Sequence, residues 1–229
     1  MLFRSDFAPT ARSMILVTPD GERTMNTFLG ACTHLGPEDI DPAVVAESAV
    51  VYLEGYLWDP PAAKAAFRKA SEIAHGAGRQ VALTLSDSFC VDRWRAEFRD
   101  LMRSKTVDIV FANQSEVKAL YETADIEAGI AALRQDVGLA AVTLSEEGSL
   151  VVSADGVVRV AASPVEAVVD TTGAGDLYAA GFLYGLTHDY DLAAAAELGG
   201  LMAAEIIRHI GARSQSDLAD VARQAGFPV

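Results

Sequence analysis

Basic residues are scarce in this chain: 18 lysines and arginines stand against 32 aspartates and glutamates over 229 residues, a formal charge of −14. General binding of nucleic acid wants a basic face, so that class of function is excluded. The acidic balance does not exclude a phosphorylated ligand, because helix N-termini and Mg²⁺ can supply a local positive field. Cysteine is rarer still, Cys32 and Cys90 only. That is too few for a disulfide framework and lacks metal-ligand spacing, which fits a reducing cytoplasm. No apolar run approaches the ~18–20 residues that span a bilayer. Met1-Leu2-Phe3-Arg4-Ser5-Asp6 lacks the apolar core of a signal peptide. Internal repeats, low-complexity tracts and long linkers are missing too.

What is present is a core-forming chain, 51% apolar, long enough for one large α/β domain. Ala49-Val50-Val51-Tyr52-Leu53 is a compact apolar run of the kind found in strands buried on both faces. Similar strands are expected over 80–85, 107–111 and 139–144. Helices are expected between and after them, over 60–75, 91–104, 115–122, 126–137, 174–187, 192–210 and 216–225. A short one over 43–47 is opened by Asp41-Pro42. Trp94, Phe98, Leu101 and Met102 mark the buried stripe of one of these helices. Residues 30–41 read as loop. Gly211 reads as the residue just past the helix over 192–210, with His209 as a partner of that helix's dipole. Cys90 reads as an inert buried thiol. The alternation implies a three-layer α/β/α domain with a mainly parallel central sheet. Pro19-Asp20-Gly21 and Asp155-Gly156 each sit between β-prone runs and predict hairpins. The first of these, over 1–30, looks like a piece of a small lid; 31–229 is the α/β domain.

The most informative stretch is Asp170-Thr171-Thr172-Gly173-Ala174-Gly175-Asp176, which runs into Leu177-Tyr178-Ala179-Ala180-Gly181-Phe182. A small, polar, glycine-rich loop becomes the start of an apolar helix. The first amides of a helix lack partners within it and lie at the positive end of its dipole, so they form an anion site. A carboxylate repels an anion, so Asp176 makes sense only if a group beside the anion must lose a proton. Two further polar stretches follow strands. Asn113-Gln114-Ser115-Glu116 has the spacing of a capping box. Thr143-Leu144-Ser145-Glu146-Glu147-Gly148 is a glycine-bearing loop. In open α/β sheets, ligands bind at such strand ends.

The stretch from Asp170 to Asp176 resembles the C-terminal signature of the ribokinase (PfkB) family of sugar and nucleoside kinases, D-T-x-G-A-G-D. The resemblance implies a ribokinase-like fold, ATP and Mg²⁺, and a small-molecule acceptor. It makes Asp176 the base and the amides of Gly173, Ala174, Gly175 and Asp176 the anion hole. Asn113 and Glu116 match the family's N-x-x-E motif, where the glutamate places Mg²⁺ largely through water. Thr143, Ser145 and Gly148 match its nucleotide loop, although Ser145 stands where glycine is common. Asp170 and Thr172 match positions that hold K⁺ through oxygens in many relatives. Residues 22–31, 86–91 and 205–213 are similar to the adenosine-kinase-like bacterial branch, which points to a nucleoside, adenosine in particular, over a simple sugar such as ribose, fructose or a keto-deoxy sugar acid. Asn26 and Phe28 become candidate substrate contacts, and the lid a candidate homodimer contact. The resemblance covers only the later part of the family pattern. The opening strand with its substrate-binding aspartate and the di-glycine hinge are not found. The sequence is thus read as shortened at its start, its ATP side surviving better than its acceptor side.

Overall fold

Short polar residues write the helix starts into the sequence. Asp41, Asp87, Asn113, Asp125, Asp191 and Asp217 lie in extended backbone, and each accepts from an amide in the first turn of the helix that follows. In the computed structural model, which describes residues 6–229, these helices are α1 (Pro42–Glu47), α3 (Ser88–Arg103), α4 (Gln114–Tyr121), α5 (Ile126–Asp136), α7 (Leu192–Ile206) and α8 (Leu218–Gln224). The other two, α2 (Pro61–Gly76) and α6 (Ala174–Thr187), start on a proline and after a glycine.

The strands are β1 (Arg12–Val17), β2 (Arg23–Phe28), β3 (Val50–Glu54), β4 (Gln80–Thr84), β5 (Ile109–Asn113), β6 (Leu139–Thr143), β7 (Ser149–Ser153) and β8 (Gly156–Val160). The first two form a hairpin around Pro19-Asp20-Gly21; the other six form one sheet in chain order. β3 pairs with β4 in parallel, Leu53 opposite Leu83, and β4 with β5, Leu83 opposite Val110. Strand joined to helix joined to parallel strand is the architecture the alternation implies.

Three expectations need correction. β3 is not buried on both faces: of its residues only Leu53 is buried, and among the described residues β3 ends the strand order with a single neighbour. The segment over 30–41 is not plain loop but carries 3₁₀ turns at Gly30–His34 and Pro37–Asp39. Helix α7 stops at Ile206, not at 210. The carbonyl of Ile207 instead accepts from the amides of Val169 and Asp170, at 2.8 and 3.4 Å. His209 and Gly211 therefore lie beyond the helix.

The residues group into two compact units, one of 6–12, 27–142 and 152–156, the other of 13–26, 143–151 and 157–229. The first is centred on large apolar side chains: Trp58, fully buried, packs on Phe67 and Phe98. The second depends on small residues. A Cβ on Gly181 would come within 2.8 Å of the Leu198 carbonyl, and one on Gly199 within 2.8 Å of the Tyr178 carbonyl. Glycine at both places lets α6 and α7 approach backbone to backbone, which no larger residue permits. Among the described residues, no helix is long and apolar enough to cross a membrane.

Gly199→Ala is expected to cost about 1–3 kcal/mol, the usual penalty for overfilling a packed contact. Gly76→Ala, where nothing lies within 4 Å of the added carbon, should stay within about 1 kcal/mol of wild type. Urea midpoints of the two variants compare these costs directly.

Candidate active site

The glycine-rich stretch is held by one carboxylate. Asp170 is 2% exposed. Its Oδ1 accepts from the Thr172 amide at 2.9 Å and the Thr172 hydroxyl at 2.6 Å, and its Oδ2 from the Gly211 amide at 2.9 Å. Burial pushes this carboxyl up. The hydrogen bonds from Thr172 and Gly211, with the charge of Arg23, outweigh that effect and hold it below the usual aspartate range. Gly211, expected as a helix terminator, is thus a donor to Asp170 instead. Thr172 and Asp170 engage each other and form a strut.

After the strut the chain turns through Gly173, whose φ of +86° is left-handed. A Cβ there would meet the Cα of Ala212 at 3.1 Å, so conformation and space both call for glycine. Helix α6 begins at the next residue without a side-chain cap. The Ala174 amide is engaged by the Thr171 carbonyl at 3.2 Å. Of the four amides expected to form the anion hole, this one is already partnered. Those of Gly173, Gly175 and Asp176 have no hydrogen-bond acceptor recorded among the described residues. Gly175 faces open space.

Asp176 stands in the first turn, within reach of solvent. Protein atoms around its carboxylate displace enough water to raise its pKa, and the charge of Arg23 acts against that rise. Arg23 is the residue that sequence reasoning passed over. It lies in β2, and its Nη1 donates to the Thr171 hydroxyl at 2.6 Å. That hydroxyl donates in turn to the Gly21 carbonyl, which also takes the Thr171 amide, both at 3.2 Å. The hairpin turn is therefore stapled to the glycine-rich stretch within one unit, and it delivers a guanidinium there. One arginine in a polar hairpin gives no signal of this in the sequence.

In the same unit, the loop after β6 closes on itself. Leu144 donates to the Gly148 carbonyl at 2.8 Å around a single 3₁₀ turn. Thr143 ends the strand, and Ser145 takes a left-handed φ of +53°. That conformation explains why glycine is common at this place in similar loops: it costs a residue with a Cβ about 1–2 kcal/mol. Gly148 lies against the backbone of Val160 and Ala162. The segment from Val160 to Pro164 then lines an open recess of about 420 Å³, with Ala193, Glu197 and Leu201 of α7 opposite and Phe227 at its end. Its residues come from three separate stretches of the chain, so the sequence does not reveal it.

In the other unit, Asn113 and Glu116 form the expected capping box. Asn113 Oδ1 accepts from the Glu116 amide at 2.9 Å, and Glu116 accepts from the Asn113 amide at 2.9 Å and its Nδ2 at 2.7 Å. Glu116 is 4% exposed. Burial pushes its carboxyl up to about 7, against the pull of the Asn113 backbone bond. Both oxygens are thus directed by Asn113, and no group of three or more His, Cys, Asp or Glu able to hold a metal occurs among the described residues. This fits a hydrated cation held through water and does not fit a dry metal cage. Asn26 and Phe28 lie on exposed β2, Phe28 at 57% exposure. Cys90 is buried, its sulfur donating to the Gly55 carbonyl at 3.2 Å, and burial pushes its thiol up to about 12, as an inert thiol requires.

The sequence model of the pfkB family of carbohydrate kinases matches residues 3–219. The chain is 62% identical to an adenosine kinase from Sinorhizobium meliloti, whose crystal structure it matches with a TM-score of 0.93 over 95% of this chain and 67% of that one. It is 54% identical to a probable sugar kinase from Rhizobium etli, with the same TM-score of 0.93, over 95% of this chain and 66% of that one. To the adenosine kinase of Saccharomyces cerevisiae it is 27% identical over 217 residues, 88% of this chain but 62% of the yeast protein. The chain therefore spans less than two thirds of that curated relative.

Replacing Asp170 by alanine leaves the buried amides of Thr172 and Gly211 without an acceptor, at an expected cost of about 2–5 kcal/mol near neutral pH. Because the folded carboxyl titrates below its unfolded value, its contribution is present above that value and is lost as pH falls through the folded one. The stability gap between Asp170→Ala and wild type, from urea unfolding, should therefore be widest near pH 7 and narrow as pH falls below the ordinary aspartate range.

Proposed function

The chain belongs to the pfkB family of carbohydrate kinases, and on that footing we propose that it serves ATP-dependent phosphoryl transfer to a nucleoside hydroxyl, converting adenosine to AMP. The observation that carries the reading is an accessible, pKa-raised Asp176 in the first turn of α6, beside amides with no acceptor. An anion site alone has no use for that carboxylate; transfer from a phosphate to a hydroxyl uses both. The 62% identity to the S. meliloti adenosine kinase supports adenosine as acceptor. Kinship with the R. etli protein, at 54%, supports a second reading in which the hydroxyl belongs to a sugar such as ribose, fructose or a keto-deoxy sugar acid.

In this reading the acceptor hydroxyl gives its proton to Asp176 as its oxygen attacks the γ-phosphorus of ATP, and ADP leaves with the bridging oxygen. The amides of Gly173, Gly175 and Asp176 stabilise charge on the phosphoryl group in transit. Arg23 adds a positive charge that acts against the rise in the pKa of Asp176 that crowding causes. Thr143, Ser145 and Gly148 are assigned to the nucleotide, and the recess lined by Val160 to Pro164 to its base. Glu116, oriented by Asn113, would hold Mg²⁺ through water; when bound, the ion neutralises phosphate charge. Asp170 and Thr172 act as a strut, and they are also the residues that would hold K⁺ through their oxygens.

Asn26 and Phe28 are assigned to the acceptor side, as part of a lid within 1–30. The same hairpin exposes Met14, Leu16 and Met25, which supports its use in a homodimer. The reducing cytoplasm is the compartment that suits two free cysteines.

A coupled assay for ADP release with adenosine, inosine, ribose and fructose tests the reading, with adenosine expected to be fastest. Asp176→Asn should lower turnover by roughly 10²–10⁴-fold while ATP still binds. Full turnover in that variant removes Asp176 from its role, and ATP binding without turnover on any acceptor makes the chain a nucleotide-binding remnant. A base must be deprotonated to work, so activity rises with pH through the pKa of Asp176. Arg23→Met removes the charge that lowers this pKa; the acidic limb of the pH–rate profile should move to higher pH.

A further inference from the structure

One buried carboxylate has no task in the chemistry above. Glu205, in the last turn of α7, is 6% exposed. It pairs with Nε2 of His209 at 3.2 Å. That partner lies in the segment just after the helix. Nδ1 of His209 is buried with no partner among the described residues. An unpaired buried nitrogen is costly, so the placement of this ring follows Glu205 and not its own hydrogen-bonding needs.

The same segment meets the glycine-rich stretch three times. The Ile207 carbonyl accepts from the Val169 and Asp170 amides, and the Gly211 amide donates to Asp170 at 2.9 Å. Ala212 lies against the open face of Gly173, leaving only 3.1 Å between its Cα and where a Cβ would be. We infer that Glu205 is a positioning residue for the anion site, acting through the 207–216 segment on the amides that open α6. It touches no reacting atom. It ties down His209, which lies between Ile207 and the Gly211–Ala212 pair that fix Asp170 and Gly173. The role of those amides in holding phosphate rests on the proposed function; their positioning by Glu205 does not.

The test compares wild type with Glu205→Ala, Glu205→Gln and His209→Ala. Amide hydrogen exchange is followed on peptides over 170–176, with peptides of α8 as reference, and ATP is titrated calorimetrically. Glu205→Ala should quicken exchange over 170–176 by about tenfold or more, with α8 unchanged. ATP affinity should fall with it. Glu205→Gln, which keeps an acceptor, should restore much of the protection, and His209→Ala should fall between Glu205→Ala and wild type. Wild-type exchange over 170–176, or an equal rise across α8, overturns the inference and leaves Glu205 a packing group. Should Glu205→Ala fail to fold, His209→Ala decides on the same criterion. A wild-type chain that binds no ATP counts against the proposed function alone, since the exchange comparison needs no nucleotide.

Discussion

The candidate site depends on Asp170. A stretch of small residues such as Thr171-Thr172-Gly173-Ala174-Gly175 has little surface to bury and much backbone freedom to lose. Left alone it would not hold three amides in one direction. Asp170 gathers the Thr172 amide, the Thr172 hydroxyl and the Gly211 amide around one buried carboxylate. Two of those bonds shape the turn, and the third ties it to the segment after α7. The Ile207 carbonyl reinforces the tie from the other side, and for that reason α7 ends where it does. With the turn fixed, the amides of Gly173, Gly175 and Asp176 remain unpartnered at the positive end of α6, as an anion site requires.

A second constraint is charge. The chain is strongly acidic, and its anion site contains a carboxylate of its own. Crowding and a bound phosphate would both push Asp176 toward its neutral form, which cannot accept a proton. The hairpin answers this by bringing Arg23 to Thr171, close enough to act on both Asp176 and Asp170. One guanidinium thus favours the ionised form of both carboxylates. Because charge interactions between exposed groups are screened over about a Debye length of 8–10 Å, a cation elsewhere on the surface could not substitute for it.

Much of this was legible in the sequence, because it is written in local patterns. Six helices open on a side-chain cap that the sequence displays, and the compact apolar runs fall on strands of the sheet. The D-T-x-G-A-G-D pattern located the turn that opens α6. What escaped was set by contacts between residues far apart in the chain. Nothing near position 206 announces the end of α7; the Val169 and Asp170 amides end it. Nothing near Arg23 announces Thr171, 148 residues away. β3 has the composition of a central strand, and only the strand order shows that one side lacks a neighbour. Ser145 looked like a departure from a glycine pattern, whereas its left-handed backbone shows the position keeps the geometry with a costlier residue.

Asn113 and Glu116 show why capping and cation placement cannot be told apart by spacing. A capping box turns the glutamate back toward the helix start, where its oxygens accept from the preceding residue. That bond also fixes where the carboxylate points and leaves each oxygen a second lone pair. At an exposed helix this would be stability and nothing more. Here the carboxylate is 4% exposed and its pKa is pushed up to about 7, so the ionised form is destabilised in the free protein. A cap alone has no need for that burial, since an exposed glutamate caps as well. A hydrated cation held beside it would offset the cost of the buried charge, and only the ionised form would attract the cation. The burial of Glu116, more than its place in the sequence, is therefore the physical argument for giving it a second role.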